Sequence, residues 1–314
     1  MLQVGIQPQI TMFGRSVYFL AMTVIHEAKA LESFGKSTLV PTMGALHEGH
    51  LSLIRMAAER GRPVVVSIFV NPTQFAPHED FATYPRTLQR DVESSLANGA
   101  DVIYAPGVQD IYPRGLAAAN EEAAKFPLPD VARTPGLEDG SRPHFFGGVC
   151  LVVARLFDLV QPSEAIFGEK DWQQLKSVQA MARETPRFAE LCITPGPTVR
   201  EKDGLAMSSR NVHLQPDQRH TALGLKAALD AVMKHEDPHD AEEAMDVILS
   251  QRGLRKDYAV VRDADTLGPP TPSRPTRALI AARLEQPEGD VRLIDNAPAL
   301  PCPEFVLGNT LQKP

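Results

Sequence analysis

The sequence predicts an α/β protein: a doubly wound, Rossmann-like parallel sheet followed by a smaller α+β C-terminal domain. Three observations lead there. Short β-branched runs alternate with amphipathic helical stretches through about residue 195, the pattern of a parallel sheet with crossover helices. The run Val64-Val65-Val66-Ser67-Ile68-Phe69-Val70 is almost continuously apolar, as suits a strand covered on both faces. Beyond residue 197 the order changes to helices and then strands, which suits a separate unit.

Taken in order, residues 16–20 could form a first strand, or Met22 could be the true start with the preceding stretch disordered. Residues 23–34 have helical character and stop at Gly35. A strand is expected over 38–40, broken by Pro41 and Gly44. Leu51, Ile54, Ala57 and Ala58 then share one helical face, and Gly61 and Pro63 end that helix. The strand at 64–70 completes a right-handed βαβ unit. After a polar turn at 78–85 come a helix at 88–98 and a strand at 102–104. Residues 106–143 are rich in Pro, Gly and Ala and read as a flap or an insertion, with a short helix at 117–125. A helix at 150–160, a strand at 165–167, a helix at 175–183 and a strand at 190–193 continue the alternation. Thr194-Pro195-Gly196-Pro197 reads as a hinge, dividing a domain at 1–197 from one at 198–314. The latter is expected to hold a loop at 200–210, helices at 217–233 and 241–251, and strands at 258–262, 277–283 and 291–295, with a Pro-rich loop at 269–275.

Composition narrows the class. The 314 residues are 43% hydrophobic and 23% charged, ordinary for a soluble globular protein. No apolar run approaches the ~20 residues of a membrane span, so no membrane association is expected. Cys150, Cys192 and Cys302 are few, odd in number and unpatterned, which favours a reducing cytoplasm over a disulfide framework or zinc site. A net charge of −7 disfavours a nucleic-acid partner.

Ligands in open α/β sheets bind at the carboxyl ends of strands. One such end carries Met43-Gly44-Ala45-Leu46-His47-Glu48-Gly49-His50 and another carries Asn71-Pro72-Thr73-Gln74. A helix starting near His50 would offer free N–H groups and a positive dipole end to phosphate. His47 and His50, spaced i, i+3, would face one ligand and could donate to phosphate oxygens, or they could be a capping or solvated pair. A zinc reading is weaker, because His-Glu-Gly-His lacks the H-E-x-x-H spacing. Ser208-Ser209-Arg210 could clamp a polyphosphate or be a solvated basic loop. In Gly168-Glu169-Lys170-Asp171, Lys170 could meet phosphate and Asp171 a ribose hydroxyl or a metal, or the four could be a charged turn. Gln74 and Gln174 are neutral amides suited to a hydroxy acid.

These segments also match a family in order. Residues 41–50, 66–75, Tyr84-Pro85-Arg86-Thr87, 167–175 and 199–211 closely resemble pantothenate synthetases (pantoate–β-alanine ligases), as do Arg262-Asp263-Ala264-Asp265-Thr266-Leu267 and Arg292-Leu293-Ile294-Asp295-Asn296. The resemblance covers roughly residues 36–297. It implies a nucleotidyltransferase-superfamily enzyme with a His-x-Gly-His motif, here His47-Glu48-Gly49-His50. Pantoate would attack the α-phosphate of ATP to give pantoyl adenylate, and β-alanine would then give pantothenate and AMP. It further implies Mg²⁺ on the phosphates and a homodimer. His50, His47, Lys170, Ser208, Ser209 and Arg210 would be catalytic. Residues 43–50 and 168–171, Val199 near adenine, and Met207 to Arg210 would bind ATP. Gln74, Gln174, Asn71 and Arg142 would hold the acid side, with Tyr84 as a further candidate, and Asp91 would lie near Mg²⁺. The chain departs from the family's Arg-Pro-x-His-Phe-x-Gly-Val: Phe145 stands where histidine is expected and His144 lies one place early, so the backbone shifts or that contact is lost. Two other readings are a related cytidylyltransferase-type enzyme and an ATP-binding homologue with impaired catalysis.

Overall fold

The computed structural model describes residues 23–76, 79, 81–286 and 289–299. The expected strand at 16–20 lies outside them. Six parallel strands form the main sheet: β1 (Thr23–Ile25), β2 (Thr38–Thr42), β3 (Val64–Ile68), β4 (Val102–Tyr104), β5 (Glu164–Gly168) and β6 (Cys192–Gly196). Their spatial order is β1-β4-β3-β2-β5-β6. The winding reverses between β2 and β5, so the crevice beyond their carboxyl ends is the switch point where such sheets bind ligands.

Strand alternation explains the two layers. Val40, Val64, Val66 and Ile166 face helix α1 (Glu48–Ala58), packing on Leu53, Ile54 and Ala57. Leu39, Val65, Ala165 and Phe167 face the opposite layer, which holds α6 (Phe145–Val160) and α7 (Trp172–Glu184). α6 is buried almost all round, which its apolar sequence Phe145 to Val160 demands. α2 (Leu88–Ala97) flanks α1. The region expected to be irregular is tiled by short helices, α3 (Val108–Ile111), α4 (Gly115–Ala124) and α5 (Glu138–Ser141). Gln173 of α7 pins this region by donating to Val131 O and Asp139 Oδ1 and accepting from Glu138 N–H.

A second core lies between a three-stranded antiparallel sheet and the helices α8 (Pro216–Ala222), α9 (Gly224–Val232) and α10 (Pro238–Gln251). The sheet runs β7 (Arg255–Asp263), β8 (Thr276–Leu284), β9 (Val291–Ala299). β8 is apolar on both faces because Ala278, Ile280 and Ala282 enter this core while Leu279 joins the main one.

Four local expectations are corrected. Residues 23–25 form an edge strand beside β4, where parallel pairing overrides local helical character, and only Ala28–Phe34 is helical, as a 3₁₀ segment. Pro41 sits inside β2 rather than ending it. Thr194, Pro195 and Gly196 belong to β6, not to a hinge. The long helix expected at 217–233 is divided at Leu223, next to Gly224, where any Cβ would lie 2.9 Å from Arg252 and Leu254 side-chain atoms.

Candidate active site

Thr42 ends β2 with its hydroxyl donating to Ser67 O and accepting from Gly44 N–H. The chain then turns through left-handed backbone at Gly44 (φ 81°) and, unusually for a residue with a Cβ, at Ala45 (φ 51°). This turn is held from beneath by Asp91. Its carboxylate accepts the N–H groups of Ala45 and Leu46, each at 2.9 Å, and the Thr87 hydroxyl at 3.1 Å. Asp91 is buried at 1% exposure. Both oxygens of Asp91 thus take donors that hold the turn, and Asp91 is not among the residues lining the cavity.

His47 caps α1, its Nδ1 accepting Gly49 N–H at 3.2 Å, while His50 Nδ1 accepts His47 N–H at 3.4 Å. A backbone N–H can only donate, so each neutral ring must carry its proton on Nε2. Burial, reinforced by the charge of Lys170, drives His47 down to about 4, although Asp171 and Glu201 push the other way. Burial, then His47 and Lys170, drive His50 down to about 3. Both rings are thus neutral N–H donors at pH 7 in the free protein. Gly49 is required here, because a Cβ would come within 2.9 Å of the His47 ring.

Beyond β3, Asn71 opens a short 3₁₀ turn, Pro72–Gln74. Its Oδ1 accepts from Tyr112 OH at 2.7 Å and its Nδ2 donates to Gly148 O and to Gln74 Oε1. Fixing Gln74 by its oxygen leaves Nε2 as the free end of that amide. Gly148 of α6 lets the turn approach, since a Cβ would stand 2.3 Å from Thr73 O. Where the motif departs from the family pattern, α6 runs unbroken from Phe145, and both His144 and Phe145 line the cavity. His144 is part-exposed, 3.8 Å from Glu79. Arg142 lies 3.9 Å over the Phe145 ring and pairs with Glu79 at 2.8 and 2.9 Å. Burial works against ionised Glu79, but Arg142 holds its carboxyl below the usual range.

A cavity of about 1290 Å³ joins these segments. Met43, His47, Gly49, His50, Asn71, Gln74, Arg142, Gly168, Lys170, Asp171, Gln174, Val199, Met207, Ser208, Ser209 and Arg210 all line it, as does Tyr84. Met207 closes on α1, its Cβ 3.7 Å from where a Gly49 Cβ would be. Gly44, Ala45, Leu46, Glu48 and Glu169 lie outside the lining. The amides of Ala45 and Leu46 are spent on Asp91, Glu48 pairs with Arg55, and Glu169 turns to Arg277 at 3.2 Å. Glu79, Tyr112 and Glu138 were not singled out by sequence. Each acts through a partner more than 30 residues away, Arg142, Asn71 and Arg292, which no local spacing reveals.

Comparison with known proteins agrees with this arrangement. A family model described as pantoate-beta-alanine ligase matches residues 20–298. A pantothenate synthetase of Bradyrhizobium sp. is 48% identical over 264 residues, 82% of this chain and 89% of the relative. One from Rubrobacter xylanophilus is 48% identical over 272 residues, 84% and 90% of the two chains. A crystal structure of pantothenate synthetase from Thermus thermophilus superposes with a TM-score of 0.77 at 38% identity, covering 88% of this chain and 99% of that one. A pantoate-beta-alanine ligase from Francisella tularensis, solved with beta-gamma ATP and beta-alanine, gives 0.69 at 30% identity, covering 88% and 98%. A parallel sheet with its ligand-sized cleft at the switch point, and relatives alike along nearly their whole length, lead to one conclusion: the chain belongs to the pantoate–β-alanine ligase family.

Proposed function

We propose that this ligase joins pantoate to β-alanine in two steps within the one cavity. In the first, a pantoate carboxylate oxygen attacks the α-phosphorus of ATP. The bond to the β-phosphate oxygen breaks, and pyrophosphate leaves pantoyl adenylate behind. In the second, the β-alanine amine attacks the acyl carbon, AMP departs, and the amine sheds a proton. The observation that carries this reading is the convergence of His50, Lys170 and the Met207 to Arg210 segment on one space.

The roles follow from the chemistry of each group. Nucleotidyl transfer depends on positioning and on neutralising phosphate charge more than on covalent help. The Nε2–H groups of His47 and His50 donate to phosphate oxygens while neutral. Lys170 and Arg210 bring positive charge, and the hydroxyls of Ser208 and Ser209 add donors. Val199 packs beside the base. Gln74 Nε2 and Gln174 hold the hydroxy acid, and Asn71 fixes the orientation of Gln74. Arg142, already neutralised by Glu79, shapes the acid end of the cavity rather than meeting a carboxylate alone. The adenylate is prone to hydrolysis, and the 200–210 loop would close over it to exclude water.

Mg²⁺ suits this donor set as an ion carried by the triphosphate: it characteristically keeps substrate oxygens and few protein carboxylates. Asp171, half exposed beside Lys170, is the carboxylate we assign to it. Bound there, the ion would spread charge building on the pyrophosphate. Division of labour between a nucleotide- and pantoate-binding domain at 1–197 and a lid domain at 198–314, a homodimeric state and a cytoplasmic location belong to the same proposal. Among the described residues no helix is long and apolar enough to cross a membrane.

The test is product formation. Purified protein should release AMP and pyrophosphate in step with pantothenate only when ATP, Mg²⁺, pantoate and β-alanine are all present. ATP binding without turnover, or cytidylyl transfer to a phosphorylated alcohol, would replace the proposal.

A further inference from the structure

The loop that carries Lys170 has no side-chain cap of its own at either Gly168 or Asp171. It is held instead from the far sheet. Asn296 of β9, buried at 4% exposure, donates through Nδ2 to Glu169 O at 3.0 Å and to Lys170 O at 2.7 Å. Its Oδ1 accepts from Arg277 Nε at 2.6 Å. Arg277 in turn lies 3.5 Å over the Trp172 ring and pairs with Glu169 Oε2 at 3.2 Å.

The neighbouring residue faces the other phosphate-binding segment. Asp295, equally buried, takes both arms of Arg200 at 2.6 and 2.9 Å, and Arg200 also donates to Gly204 O at 3.1 Å. Arg200 opens the loop that ends in Met207 to Arg210, closed on itself by the Arg200–Ala206 bridge and the Met207 N–H to Val199 O bond. Two successive residues of one strand therefore grip two cation-bearing segments that line the same cavity.

We propose that Asp295 and Asn296 are positioning residues for adenylate formation, setting the Lys170 loop and the Arg200–Arg210 loop at a fixed separation. Asp295 and Asn296 also line the cavity, but the positioning role requires no contact between their side chains and substrate. Asn296 acts because an amide can donate to two carbonyls and accept from a guanidinium at once, a combination no other side chain of its size supplies. The consequence is kinetic. A cation displaced by about 1 Å at the transition state costs on the order of 10²-fold in rate. Gln74 itself is held from Asn71 and α6 and makes no contact with Asn296, whereas Gln174 lies in the first turn of α7, directly after the Lys170 loop.

The inference rests on Lys170 meeting nucleotide phosphate, so Lys170→Ala is measured beside it. The assay is pantoate-dependent ATP–pyrophosphate exchange by the full chain. Asn296→Asp is isosteric, keeps the acceptor for Arg277 and loses the donors, placing a carboxylate oxygen against two carbonyls. Asn296→Ala loses both. Both should lower kcat on the order of 10²-fold, change the pantoate KM by a much smaller factor, and keep a cooperative unfolding transition. Asp295→Asn, which removes the charge from the Arg200 pair, should act in the same direction by a smaller factor. Parent-like kcat in Asn296→Asp would show that Arg277, not the Lys170 loop, is what Asn296 serves, and would overturn the proposal. So would a raised pantoate KM with kcat intact, the mark of general loosening. If Lys170→Ala itself exchanges normally, the phosphate role of Lys170 fails, and this inference with it. If Lys170→Ala collapses while the Asn296 variants do not, only the inference fails.

Discussion

Two turns at the carboxyl ends of neighbouring strands face the nucleotide space, and they are built in opposite ways. The turn after β2, residues 43–50, is organised largely from within: two histidines cap one helix reciprocally and a single buried carboxylate from α2 takes the next two amides. The turn after β5, residues 168–171, has no local cap and is organised from β9, more than a hundred residues away. The first is a property of the parallel sheet and its own helices. The second is joined to β5 and α7 at its ends, and its carbonyls are gripped from the C-terminal sheet. The difference teaches that the neutral donors of the site belong to the fold of one layer, and the Lys170 charge to the joint between two.

The sharpest way to break this contrast is His50→Ala. It removes a neutral donor from the self-organised turn and should slow exchange on the order of 10²- to 10³-fold while leaving the Lys170 turn undisturbed. Normal exchange in that variant would end the role given to His50. Next comes Asp91→Ala, which leaves the Ala45 and Leu46 amides without their buried acceptor. A loss of about 1–3 kcal/mol in unfolding free energy is expected from denaturant titration. Adding Ala45→Gly should recover part of it, because a left-handed residue with a Cβ costs roughly 1–2 kcal/mol. If Asp91→Ala is fully stable and Mg²⁺ affinity alone falls, the metal role returns. Gly49→Ala should push the His47 ring out of its cap, at a cost of about 0.5–2 kcal/mol and a measurable rise in ATP KM.

The smallest effect is on pH. In the unfolded chain both rings titrate near 6.5, and in the folded one near 4 and 3. Above pH 6.5 the rings are neutral in both states. As pH falls below that value, the unfolded chain takes up protons that the folded site refuses, so stability present above 6.5 is lost progressively down to about 3. Urea unfolding along this range should show a slope that is reduced in a His47→Gln, His50→Gln double variant. The ring proton resonances of His47 and His50 in the free protein should not titrate above about pH 5, and a neutral-range titration of either would contradict the burial argument.

Much of the fold was legible. The almost wholly apolar run at 64–70 and the amphipathic stretch at 51–58 report burial directly, because periodicity is a record of which side faces the core. The first turn was legible for the same reason: its glycines, histidines and helix start are adjacent in sequence. What was missed depends on partners brought in by tertiary structure. For Asp91, a carboxylate near a phosphate site invites a metal reading, and nothing local says that its oxygens hold the Ala45 and Leu46 amides. Arg142 looked available because Glu79 lies far away along the chain. Residues 23–25 and 194–196 looked helical or hinge-like, since the strand that pairs with each is distant. Asp295 and Asn296 were within the segment that resembles the family, yet with no role, for a side chain that positions a loop carries no signature of its own.

Trp172 is the chain's one tryptophan. Its indole N–H donates to Ala264 O, and its ring is covered by Arg277 and by Lys176. Intrinsic fluorescence of this protein is therefore a single-site optical gauge: emission selectively excited at the red edge reports how firmly one half of the molecule is seated on the other, without any attached dye.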